Sequence, residues 1–262
     1  MQEQSGFITI HSETTPERHV YATAFLPDTL PASRAVVIVE PLAEEKRAAY
    51  RMLVRLARAL AADGIAAIRF DLSGTGDSTL PHSKATFEAW IEDTLAAAEE
   101  IRTLAASNSL SFVGARAGAL VAAAAAGRTT VKSLVFAEPI LSGTDFLNDL
   151  ERRQSIKNMM SGTKDAKSAR ESWDSGAAVD FGGYLFSSTL ADGLAQADLK
   201  NLLQPLPADT AVNAIRVSAS KKLPPAWDIF GEHTAIIADK PFWGQLDYYE
   251  SDFVNDAIRA RL

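Results

Sequence analysis

Ser111 to Gly127 reads SFVGARAGALVAAAAAG: a strand gives way to a tight turn, and a helix of small residues follows. A turn of this kind lifts a nucleophilic serine above a parallel sheet, and it needs small neighbours because strand and helix meet in a strained elbow. Gly114, Ala115, Ala117 and Gly118 supply them, but the middle position carries Arg116. Arginine is no nucleophile; its guanidinium is a planar, permanently charged fork suited to carboxylates and phosphates. A cation at a helix start is disfavoured by about 0.3–1 kcal/mol, so something negative must lie close to it.

The anion can belong to the protein or to a ligand. Glu40, Glu44, Glu45 and Glu138 fall at neighbouring strand ends, and any of them would satisfy the fork with a bidentate carboxylate. A ligand carboxylate, phosphate or sulfate would instead share Arg116 with the backbone N–H groups of the helix start. Glu44 and Glu45 are also a candidate acid/base pair, although adjacent side chains point apart and acids at a helix start ordinarily just complement the macrodipole. Asp71 opens the turn DLSGTGDS, where an aspartate holds loop amides, and Ser73 and Ser78 are candidate displaced nucleophiles without an evident histidine. Trp90 and Trp243 read as core or seam residues, or as walls of a sugar or acyl pocket.

The remaining parts of a serine–histidine–acid triad cannot be placed in the usual chain order. After the sixth and seventh strands the chain offers Glu138 and then Ser218 to Lys221, and of these only Glu138 is an acid. No histidine follows the last strand: His233 precedes it, His11 and His19 lie on N-terminal strands, and only His82 falls in a loop near the carboxyl edge of the sheet. The four histidines lack metal-ligand spacing, GARAG is not a dinucleotide fingerprint, and no phosphate-binding loop is present. No cofactor is therefore expected.

The elements that must position these residues follow from periodicity. Strand-like runs at Phe7–His11, His19–Phe25 and Ala35–Glu40 precede a helix over Lys46–Ala62 whose apolar face is Tyr50, Leu53, Val54, Ala57 and Leu60. Strands at Ile65–Asp71, Leu110–Gly114 and Val131–Pro139 then alternate with helices at Phe87–Leu104 and Ala117–Ala126. Such alternation predicts an α/β fold: a mostly parallel, doubly wound sheet of about eight strands. After Pro139 the rhythm breaks, with helical stretches at Phe146–Met160 and Ser188–Leu203 and a Gly182–Gly183 joint. Strands at Val212–Ser218 and Thr234–Ala238 and a helix over Asp247–Leu262 resume it. The reading is one core, 1–140 with 208–262, and an inserted lid, 141–207, after the sixth strand. If the lid covers the carboxyl edge, it should enclose a pocket floored by Arg116 and walled around Phe146, Leu150 and Tyr184.

Composition narrows the partners. A net charge of −7 argues against nucleic acid, and the absence of cysteine excludes disulfides and thiolate chemistry. The N-terminus lacks the basic-then-apolar pattern of a secretory signal, and Ala117–Ala126 is too short to span a membrane, which together point to the cytoplasm.

The segments VVIVEPLAEEKRAAYRMLVRLARALAADG, FDLSGTGDS, FVGARAGAL, EPILSGTDFLNDL, VDFGGYLFSSTLADGLAQADL and DKPFWGQLDYYE together resemble the second type of exosortase A system-associated hydrolase, an α/β-hydrolase family. The resemblance covers nearly the whole chain. It implies the hydrolase fold with arginine at the elbow as a family trait, and a genomic setting beside bacterial exopolysaccharide and protein-sorting genes. The expected function is that of a ligand-binding or accessory pseudo-hydrolase; the alternatives are an active ester or acyl hydrolase with a non-standard constellation, or a protein-interaction subunit. Expected partners are a small anionic, acyl or sugar-derived ligand, and a second copy or a pathway protein. The ligand-binding set is Arg116, Glu40, Glu44, Glu45, Glu138, Asp71, Ser73 and Trp243.

Overall fold

The structure, a computed structural model, describes residues 1–12, 17–161, 167–220, 222–243 and 252–262. Ten strands occur among them: β1 Gln2–Ile10, β2 Arg18–Leu26, β3 Arg34–Val39, β4 Ile65–Phe70, β5 Leu110–Ala115, β6 Ser133–Ala137, β7 Val179–Asp180, β8 Leu185–Phe186, β9 Ala211–Val217 and β10 Thr234–Ile237. Eight form one sheet in the order β1-β2-β4-β3-β5-β6-β9-β10, and β7 with β8 makes a separate hairpin. The β1–β2 and β2–β4 pairs are antiparallel. From β4 through β3, β5, β6 and β9 to β10 all neighbours are parallel.

Two apolar layers sandwich the sheet. Val36 and Ile38 of β3 face one layer, with α1 (Glu44–Ala62) and α8 (Asp252–Arg259), while Ala35, Val37 and Val39 face the other, with α2 (Phe87–Ala105) and α3 (Gly118–Ala126). Residues of both parities are fully buried, which is the signature of a parallel sheet covered on both sides. The α1 stripe is rotated from the expected one: Ala49, Leu53, Leu56, Ala57 and Leu60 are buried, whereas Tyr50 is 54% exposed. The physical reason is local, since the ring of Tyr50 lies against the Arg69 guanidinium, 4.5 Å from its centroid, instead of entering the core.

Between β6 and β9 run α4 (Gly143–Met160), α5 (Ala169–Asp174), the β7–β8 hairpin, α6 (Ser188–Ala195) and α7 (Leu199–Leu203). The helix expected over Ser188–Leu203 is thus two helices, because Asp198 leaves helical geometry and its side chain caps the next helix by accepting from Asn201 N. Gly182 and Gly183, both at positive φ, form the joint of the hairpin. The beginning of the expected C-terminal helix lies outside the described residues.

One buried charge network fastens the antiparallel side of the sheet to α2. Arg18, 1% exposed, donates from Nε to Asp93 at 2.9 Å and to Ser73 Oγ at 2.8 Å, and from NH2 to Glu92 at 2.8 Å. Asp93 also accepts from the backbone N–H of Ser73 at 2.6 Å. Burial pushes the Asp93 carboxyl up to about 6, against the pull of Arg18 and the Ser73 hydrogen bonds.

An unfolded aspartate titrates near about 3.9. The folded state therefore binds more protons between those two values, and the contribution of Asp93 to stability falls as pH rises through them. Urea unfolding of the wild type should accordingly lose on the order of 2 kcal/mol from this group between about pH 4 and about pH 6.5. In Asp93→Asn that component of the slope should vanish; identical slopes for the two proteins would refute the assignment.

Candidate functional site

The elbow is built as the sequence demands. A Cβ on Gly118 would lie 2.3 Å from the Glu40 carbonyl oxygen, and one on Gly114 would lie 2.7 Å from Ala119 Cα, so α3 starts against β3 with no room for a side chain. Arg116, between them, sits at φ +53°. Ala43 after β3 and Glu138 after β6 also take positive φ, 53° and 46°. The strands β3, β5 and β6 are adjacent, so three strained non-glycine residues, each costing about 1–3 kcal/mol, line up along one stretch of the carboxyl edge.

The partner of Arg116 is a protein carboxylate. Its Nε and NH2 donate to the two oxygens of Glu45 at 3.0 Å each, and its NH1 donates to the Glu138 carbonyl at 3.1 Å. Glu45, though in the first turn of α1, is buried, and it accepts a second arginine, Arg153 of α4, at 3.2 Å. Arg153 in turn contacts Asp149 at 2.5 Å. An alternating chain of charges thus runs from the elbow into the inserted segment. Trp243 roofs it: its ring is 6.0 Å from the Arg116 guanidinium and stacks on Phe242 at 4.5 Å.

The other expected site residues disperse. The Glu138 carboxylate holds Arg216 at 3.1 Å and the Val217 N–H, and burial pushes its titration up against the pull of those groups. Glu44 is exposed and points away from Glu45, toward Gly182 of the hairpin. Ser73 has no exposed surface, and its hydroxyl is held between Arg18 and Asp93. Asp71 does hold a loop amide, accepting from Asp77 N at 2.9 Å.

Asp71 belongs to a second cluster. Glu40 pairs with Arg69, Lys46 pairs with Asp71, and Lys46 Nζ lies 3.5 Å from Glu40 Oε2. Lys46 and Arg69 escaped the sequence reading. Both left a signal: Lys46 is a cation in the first turn of a helix, and Arg69 interrupts the apolar strand IAAIRF.

Beside this cluster is a partly open cavity of about 20 Å3, lined by Glu40, Leu42, Lys46, Leu72, Thr75, His82, Trp90, Tyr184, Phe186 and Leu190. Its lining is predominantly apolar, and the inserted segment contributes Tyr184 to Phe186 and Leu190. Burial raises the Tyr184 hydroxyl above its ordinary titration range. Arg116 is not part of this lining, contrary to the expected floor. Phe146 and Leu150 are not walls either but buried core, with Phe146 packed on Phe186 at 6.4 Å. The arginine is displaced from the cavity because Glu45 draws it to the α1 side.

Solved structures share this arrangement of strands. Est1E from Butyrivibrio proteoclasticus with bound ferulic acid superposes with a TM-score of 0.68 at 15% identity, over 96% of each chain. DcsB in complex with its substrate analogue gives 0.64 at 17% identity, over 98% of this chain and 99% of that one. The mouse alpha/beta hydrolase domain-containing protein 10 gives 0.57 at 15% identity, over 97% and 96%. The chain has the α/β-hydrolase fold. No family profile and no curated protein matches its sequence. Arg116 lies in the turn between β5 and α3, and none of the described residues groups into a metal site.

Breaking a buried ion pair from one side costs about 3–5 kcal/mol, less where the remaining charge keeps a partner. Arg116→Ser leaves Glu45 with Arg153 alone, so urea unfolding should report a loss of about 2–3 kcal/mol, and Glu45→Gln should lose a similar amount. Stability unchanged in Arg116→Ser would mean that the arginine does not hold the elbow.

Proposed function

We propose that this α/β-hydrolase-fold chain is a ligand-binding or accessory protein that does not carry out serine–histidine–acid acyl transfer. The observation that carries the reading is the commitment of Arg116: at the strained elbow its guanidinium is spent on Glu45 and the Glu138 carbonyl. The last histidine of the given sequence, His233, precedes β10. Glu138, in the position of a triad acid, is engaged by Arg216. What lies at the carboxyl edge is a small, predominantly apolar cavity with a few polar groups, far smaller than a drug-sized ligand needs. The inserted segment acts as its lid.

The setting is bacterial exopolysaccharide metabolism in the cytoplasm, a reading that rests on the sequence resemblance and the acidic, cysteine-free composition. A second reading, hydrolysis by a non-standard constellation, draws on one specific observation: His82 and Thr75 both line the cavity.

Fluorophosphonate probes and p-nitrophenyl esters separate the two readings. The purified chain should take up no probe and should hydrolyse p-nitrophenyl acetate at the rate of buffer containing the denatured chain. Stoichiometric labelling of any serine or threonine, or turnover lost in His82→Ala, would make the chain a hydrolase.

A further inference from the structure

Glu40, Lys46 and Phe70 face two separate spaces. On the α2 side is the small cavity, and on the α1 side lies a more open groove of about 250 Å3 lined by Tyr21, Tyr50, Arg69, Asp71 and Asp77. The Glu40–Lys46 pair is the partition between them. It stands at the carboxyl end of β3.

We propose that groove and cavity form one binding site for an uncharged sugar ring bearing a small acyl substituent, the ring lying in the groove and the acyl group passing Lys46 into the cavity. The proposal rests on the ligand-binding reading of the cavity and adds the substrate class and the route of entry. Three features of the groove select a neutral polyol. Two tyrosine rings offer apolar faces, with Tyr50 more than half exposed. Three carboxylates, Glu40, Asp71 and Asp77, accept from hydroxyls. Against them stand Lys46 and Arg69, so the charges nearly cancel and the groove holds no surplus for an anion.

The partition itself shows an unmet demand. The Glu40 side chain is 5% exposed, and its Oε2 accepts no hydrogen bond from the described groups, although Lys46 Nζ stands 3.5 Å away. A buried carboxylate oxygen without a donor is costly, and a ring hydroxyl or an acylamino N–H entering beside Lys46 would supply the donor. The cavity then sets the size of the substituent. Among Leu72, Trp90, Phe186 and Leu190 the space is small, about 20 Å3, which favours a small substituent over a long chain.

Titrations of the full chain followed by ligand-observed NMR test this, with methyl glycosides of N-acetylglucosamine, N-acetylgalactosamine and N-acetylmannosamine set against those of glucose, galactose and mannose. At least one acetylated glycoside should bind about tenfold tighter than its parent. Tyr50→Ala, a change at an exposed position, should weaken parent and acetylated forms alike by about fivefold or more. Leu190→Phe, which narrows the cavity, should remove the acetyl advantage and leave the parent sugars bound as before; circular dichroism confirms that each variant is folded. Equal affinity of acetylated and parent sugars, or binding indifferent to Tyr50→Ala, overturns the proposal. N-methylacetamide and benzyl alcohol serve as apolar probes without a ring. If they bind and no glycoside does, the sugar site falls while the ligand-binding reading stands. O-acetylated glycosides form the last arm: their binding with release of acetate would support the site and overturn the non-catalytic reading instead.

Discussion

The two parallel hydrogen bonds between Arg116 and Glu45 set the character of the carboxyl edge. A guanidinium at a helix start works against the macrodipole, and a carboxylate buried in the first turn of α1 carries a desolvation cost; each is tolerable only because the other is there. The fork is planar and so is the carboxylate, which fixes the orientation of α1 relative to α3 across β3. From this contact the chain continues through Arg153 and Asp149 to α4, and through the Glu138 carbonyl to the end of β6. The core, the elbow and the inserted segment therefore share one electrostatic centre.

Much of the fold could be read from the sequence because its signals are short-range. The strands of the parallel sheet begin and end within about two residues of the expected positions, since runs such as RAVVIV must be buried on both faces. The elbow was legible for the same reason: Gly114 and Gly118 answer to backbone atoms only a few ångströms away. That Arg116 needs an anion was equally clear, but which of four glutamates would supply it was not. Glu44 and Glu45 are neighbours in sequence, and one turn of α1 sends the first into solvent and the second into the core.

What escaped the reading depends on contacts between distant segments. Ser73 looked available in a glycine-rich turn, yet Trp90 donates to its carbonyl at 2.9 Å, and Arg18, 55 residues earlier, reaches its hydroxyl. The cavity is formed by residues from four stretches of chain that no periodicity links. Its offset from Arg116 follows from the pairing with Glu45, which pulls the long side chain toward α1. Lys46 and Arg69 were overlooked although their positions break local rules, one as a cation in a first turn and the other as a charge in a buried strand.

The chain of charges that joins elbow to insertion is graded along its length. At the inner end Glu45 and Arg116 are 4% and 16% exposed, at the outer end Arg153 and Asp149 are 35% and 31% exposed, and dissolved ions act far more on the outer pair than on the inner one. In mechanical terms α4 is held by a tether whose links have different strengths and by the buried side chains of Phe146, Leu147 and Leu150. Rising ionic strength slackens the outer link first, while the apolar contacts and the strained turn stay clamped.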